Sequence, residues 1–232
     1  MGRHDLPSGF TDDQLRAFMK AILADVHAVE RMLDEDRFET GIRRIGAEQE
    51  MFLLDKIGRA WCGADAMIKK LNHPQFTYEL AQFNLEANLS PLELSGDCLS
   101  RLHAELDQLV GQARVAAEAE RTRIVLCGIL PTLGKEHLGL DSMTPIPRYL
   151  QLNRIMVEQR GGNFQTLIKG TDELQTTHEN VMLEACNTSF QLHYQVGAKE
   201  YARLYNLAQV VTAPVLAAAV NSPVLLRHRL WH

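Results

Sequence analysis

The chain has 232 residues, 46% of them apolar and 23% charged, the mixture of a globular protein long enough to bury a core without disulfide staples. A net charge of −5 offers no basic footprint for nucleic acid or an anionic membrane surface. Cys62, Cys98, Cys127 and Cys186 form no C-x-x-C pair, which argues for reduced thiols in the cytoplasm and against a zinc site or a disulfide framework. The start of the chain shows no apolar leader stretch, and the most apolar run, Val210 to Val220, is too short for a bilayer and contains Pro214.

Thr11 with Gln14 three residues on reads as a capping box, and Leu15, Phe18, Met19, Ile22, Leu23, Val26, Val29, Met32 and Leu33 then recur at helical spacing. Strand-like segments follow over Ile45–Asp55, Gln75–Ala81 and Phe83–Leu94. Leu99, Leu102, Leu106, Leu109, Val110 and Ala113 predict a second helix to about Arg121, and Arg123–Ile129 returns to strand character. Gly134–Pro147 is the best long loop. A third helix is expected from Pro147 to Gly161-Gly162, since proline suits a first turn and glycine an end. Asn187–Val196 alternates, with Phe190, Leu192, Tyr194 and Val196 on one face and Ser189, Gln191, His193 and Gln195 on the other. A fourth helix starts at Ala198, with a kink or break expected at Pro214. No regular βαβ rhythm is present, so the expected fold is α+β, an antiparallel or mixed sheet backed by helices. Residues 1–40 are expected to be a helical extension packed on a body spanning 41–232.

Acidic residues carry the chemistry. Glu48 and Glu50 share one strand face with Phe52 and Leu54, because strand side chains alternate. Two carboxylates ~4 Å apart repel by roughly 4 kcal/mol at an effective dielectric near 20, so a buried pair must share a proton, meet an arginine or hold a cation. The other reading is a solvated face that happens to carry two acids. Glu86 lies on a face with Asn84, Asn88 and Ser90. Glu79 and Glu86 differ by an odd number, so one straight strand would separate them unless a turn or bulge near Gln82 reverses the parity. His193 adds an imidazole on a polar strand face. Carboxylates with one imidazole suit Mg²⁺ or Mn²⁺ better than zinc. They would manage ATP phosphates without a P-loop, and no G-x-x-x-x-G-K-[ST] occurs.

Gly46-Ala47-Glu48-Gln49-Glu50 and Phe83-Asn84-Leu85-Glu86-Ala87-Asn88-Leu89-Ser90-Pro91 resemble segments of the glutamate–cysteine ligase and carboxylate–amine ligase family. Pro145-Ile146-Pro147-Arg148-Tyr149, Phe190–Val196 and Ala219-Val220-Asn221-Ser222-Pro223 are similar too, in the same order. The resemblance implies a glutamine-synthetase-like catalytic fold and ATP-dependent amide formation. In that chemistry the γ-carboxylate of glutamate takes the terminal phosphate of ATP, and an amine such as cysteine's captures the acyl phosphate.

Carried over residue by residue, the resemblance makes Glu48, Glu50, Glu79, Glu86 and His193 ligands of Mg²⁺ or Mn²⁺, with Glu48, Glu50 and Glu86 also catalytic. Arg148 matches a basic residue that contacts substrate or phosphate, and Gln191 a cofactor-binding position. The family's catalytic domain continues well past the Asn221-Ser222-Pro223 segment, whereas this chain ends nine residues after Pro223. An incomplete N-terminal part of such a domain is therefore expected, with a free sheet edge and little activity alone. A second copy or a separate C-terminal polypeptide would complete it. The alternatives are a catalytically incomplete protein that binds nucleotide, metal or a partner chain, and a phosphagen-type kinase, for which arginines are sparse among the motifs.

Overall fold

A computed structural model describes residues 11–231. Helix α1 (Asp12–Asp34) starts at the expected capping box: Gln14 N–H donates to Thr11 Oγ1 at 3.3 Å and Thr11 N–H to Gln14 Oε1 at 2.9 Å. The helix forms, and none of its residues is buried.

The body is built on β1 (Arg44–Leu54), a long strand that serves as the spine of a six-stranded sheet. On one edge it pairs with β3 (Asn84–Asn88) and β4 (Leu92–Glu93); β2 (Phe76–Tyr78) pairs outside β3. On the other edge β5 (Arg123–Val125) takes the end of β1 and β8 (Phe190–Tyr194) its beginning. Between β8 and β5 lie helix α4 (Pro147–Arg160) and a hairpin of β6 (Phe164–Lys169) and β7 (Glu173–His178). Helix α5 (Tyr201–Ala219) and a small hairpin of β9 (Val224–Leu225) and β10 (His228–Arg229) follow β8. Every ladder is antiparallel and helices are interspersed, which makes the fold α+β without parallel pairing.

Period-2 alternation splits the core into two layers. Ile45, Ala47, Met51 and Leu53 of β1, with Leu85, Ala87 and Leu89, bury one sheet face. Helices α2 (Ala64–Leu71) and α3 (Cys98–Ala119) cover that face with Met67, Leu102, Leu109 and Ala113. On the opposite face Phe52, Leu54 and Phe83 pack with Leu133, with Leu138 and Met143 from the long loop, and with Leu174 and Met182. Phe52 and Phe83 stack at 6.2 Å. That second face is thus apolar at the end of β1 and acidic along its middle, at Glu48 and Glu50.

Two expectations are corrected. The segment Phe83–Leu94 is two strands, not one. From the Glu48–Asn88 pair to the Ile45–Leu92 pair, β1 advances three residues and its partner four, so one extra residue is accommodated around Ser90-Pro91. Helix α5 runs through Pro214 without breaking. The proline removes one N–H donor, but α5 has no buried residue, so water can satisfy the carbonyl left over. The same exposure leaves Tyr201, Tyr205, Val210 and Leu216 of α5 without a core to face.

Candidate metal centre

The hairpin-like return from β2 to β3 decides the geometry of the acids. Thr77 faces Glu86 in the ladder, and antiparallel partners across an odd sum have opposite parity. Glu79, two residues beyond Thr77, therefore comes to the face of Glu86. The turn over Ala81–Asn84, closed by the Asn84 N–H to the Ala81 carbonyl at 3.1 Å, supplies the expected reversal near Gln82. Glu86 pairs directly with Glu50 across β1–β3. As a result Glu50, Glu79 and Glu86 each offer an oxygen, all within 4.8 Å of one another.

Burial and mutual repulsion act on this trio together. Glu79 is pushed up to about 9, first by burial, then by a carboxyl hydrogen bond to Glu86 and by the charges of Glu86 and Glu50. Burial also raises Glu50, while the Ser189 N–H, Gln191 and the Ser189 hydroxyl pull it down. Those donors are explicit: Ser189 N–H to Glu50 Oε2 at 2.8 Å and Gln191 Nε2 to Glu50 Oε1 at 2.9 Å. Glu86 itself is buried, and Thr77 Oγ1 and Asn88 Nδ2 both donate to its Oε1.

Glu48 and His193 form a neighbouring pair, with Nε2 3.4 Å from Oε1. It arises because Gln191 faces Glu48 across β1–β8 and His193 faces Gly46. The structure thus draws Glu79 into the tight group, where Glu48, Glu50, Glu86 and His193 were expected to converge with Glu79 alongside. Gln191 touches the site by bonding Glu50. Arg148 is exposed at the second position of α4 and makes no ion pair among the described residues.

Four contributors escape a pattern-based reading. Thr144 Oγ1 donates to the Glu79 carbonyl at 2.6 Å, and Thr144 N–H to the Leu80 carbonyl at 2.9 Å. Tyr149 OH donates to the Tyr78 carbonyl at 3.0 Å, and burial next to Glu79 pushes the phenol up to about 12. The long loop and the first turn of α4 therefore clasp the turn that carries Glu79. Thr77 and Asn88 complete the set. The faint sequence signal for them was the polar side of β2–β3, a row of hydrogen-bonding side chains where a buried sheet would be apolar.

The donor set fits a hard divalent cation: carboxylate oxygens on one face and orienting donors behind two of them. A further acceptor points the same way. Asn84, on the Glu86 face of β3, donates from Nδ2 to the Ala185 carbonyl, yet its buried Oδ1 has no partner, the single such side-chain atom among the described residues.

The profile of one protein family, glutamate-cysteine ligase family 2, matches residues 44–226. The chain belongs to that family. The family-2 match opens at the first residue of β1 and contains every acid of the trio, the Glu48–His193 pair, Arg148 and Gln191. Helix α1 lies outside it. Searches of curated proteins and of solved structures gave no match. No helix among the described residues is long and apolar enough to cross a membrane.

Proposed function

We propose that the protein is an ATP- and Mg²⁺- (or Mn²⁺-) dependent carboxylate–amine ligase of the glutamate–cysteine ligase type. The observation that carries this is the Glu50–Glu79–Glu86 trio beside Glu48–His193 on one sheet face of a glutamate-cysteine ligase family 2 member. The acid substrate is glutamate and the acceptor an amine such as cysteine's. An oxygen of the γ-carboxylate attacks the terminal phosphorus of ATP, and the bond to ADP breaks. The amine nitrogen then attacks the acyl carbon, loses a proton, and inorganic phosphate leaves with the shared oxygen. A bound divalent cation supplies neutralisation of phosphate charge during the transfer.

The chain's own residues do the positioning. Glu50, Glu79 and Glu86 would hold the cation, with Glu48 and His193 extending the polar face. Ser189 and Gln191 orient Glu50. Arg148, exposed and free of an internal carboxylate, is available to a phosphate or carboxylate of the substrates. A coupled assay of ADP release, run across glutamate and candidate amines, tests the proposal. Turnover that needs glutamate, an amine and Mg²⁺ together supports it; ADP release indifferent to glutamate contradicts it.

A second reading is a protein that binds metal or nucleotide but needs a partner polypeptide or another copy for turnover. Strand β8 favours it, since all of its residues are exposed and, among the described residues, it pairs with β1 alone. Beside it lies a groove of about 510 Å³ lined by Leu192, Tyr194, Leu204 and Tyr205. Turnover that appears only after a second polypeptide is added would select this reading.

A further inference from the structure

Glu86 differs from Glu50 in how its oxygens are used. Donors to Glu50 fall on both oxygens, whereas the Thr77 and Asn88 donors to Glu86 both fall on Oε1, and the neighbouring Glu79 carboxyl is the other group that hydrogen-bonds Glu86. Thr77 Oγ1 lies 3.0 Å from that oxygen and Asn88 Nδ2 2.6 Å, and Asn88 Nδ2 also reaches Thr77 Oγ1 at 3.4 Å. Among the described residues no backbone or amide N–H donates to Oε2.

The two donors are themselves fixed. Thr77 faces Glu86 in the β2–β3 ladder, and Asn88 is two residues along the same strand face. Asn88 N–H donates to the Gln75 carbonyl at 2.7 Å, while Gln75 Nε2 donates to the Asn88 carbonyl at 2.8 Å and to Glu105 Oε1 of α3 at 2.7 Å. A line of hydrogen bonds therefore runs from α3 through Gln75 and Asn88 to the carboxylate. A buried carboxylate that lacked these donors would rotate about its last torsion, which has a broad profile.

We propose that Thr77 and Asn88 are positioning residues of the metal centre, fixing Glu86 by Oε1 so that Oε2 is presented to the cation. This rests on the metal-centre reading above. Removing an orienting partner of a ligating side chain ordinarily weakens metal affinity by about 10–100-fold. Thr77→Val keeps the shape of the side chain and removes the hydroxyl; Thr77→Ser keeps the hydroxyl.

The test is titration of the 232-residue protein with Mn²⁺, following free ion by its paramagnetic resonance signal, with the thermal midpoint of each metal-free variant measured beside it. Thr77→Val should bind Mn²⁺ at least about tenfold more weakly than wild type. Thr77→Ser should match wild type, a rescue that a merely structural role for the side chain does not require. Asn88→Ala repeats the test should Thr77→Val fold poorly, and the same loss is expected. Wild-type affinity in Thr77→Val or Asn88→Ala overturns the positioning role while leaving the centre intact. A wild-type protein that takes up no Mn²⁺ removes the centre and this role together.

Discussion

Three carboxylates whose oxygens lie within 4.8 Å of one another cannot all be charged without a cation. At an effective dielectric near 20 each such pair repels by roughly 3–4 kcal/mol. Glu86→Gln removes one charge and keeps the size of the side chain. We expect the metal-free variant to be at least as heat-stable as wild type and to lose Mg²⁺-dependent turnover; wild-type turnover would contradict its role. Glu79 adds a pH signature. Its folded pKa of about 9 lies above its ordinary 4.5, so across that window the folded state holds a proton that the unfolded state has released. Stability of the metal-free protein should therefore fall as the pH rises through the window. Cation binding must displace the same proton, so affinity should rise over the same range. Thermal midpoints and Mn²⁺ titrations at about pH 6 and about pH 8.5 check both signs. A flat affinity across that range would mean that Glu79 is not a ligand.

At the scale of elements, the loop from Gly134 to Pro147, with Tyr149 of α4, fixes the turn bearing Glu79. Thr144 donates to the Glu79 carbonyl, and Leu138 and Met143 anchor the loop in the core. Thr144→Val keeps volume and removes one hydrogen bond, so a loss of about 1 kcal/mol in unfolding free energy is expected, with a weaker Mn²⁺ affinity. Urea unfolding alongside Mn²⁺ titration would separate the two effects, and an unchanged affinity would confine Thr144 to stability. How legible these elements were follows from their periodicity. Helices α1, α3 and α4 carry long apolar repeats, caps or proline and glycine signals, and β1 and β8 alternate cleanly. Helix α2 has eight residues and the β6–β7 hairpin has polar residues on its open face, so neither carries enough pattern to stand out. Glu48 and Glu50 were legible on one strand face and Glu86 on the polar face of another segment. That Glu79 rather than Glu48 closes the group with Glu50 and Glu86 was not, because it depends on the turn near Gln82 and the register of β2 against β3.

For the molecule as a whole, apolar exposure is concentrated on α1, β8 and α5. Leu15, Phe18 and Leu23 of α1, Leu192 and Tyr194 of β8, and Tyr205, Val210 and Leu216 of α5 all face solvent. Leu192, Tyr194 and Tyr205 line one groove, and apolar surface of this kind ordinarily marks contact with another polypeptide. We expect the 232-residue protein to self-associate as its concentration rises, and Leu192→Lys with Tyr205→Lys to reduce that association without altering Mn²⁺ uptake. Sedimentation velocity reads the first effect, and a strictly monomeric wild type would exclude it. The centre itself is most directly tested by anomalous diffraction from crystals soaked in Mn²⁺. The account predicts a peak between the carboxylates of Glu50, Glu79 and Glu86, bonded to Glu86 through Oε2. Full soaking with no peak there, or manganese bound only elsewhere on the surface, would contradict it.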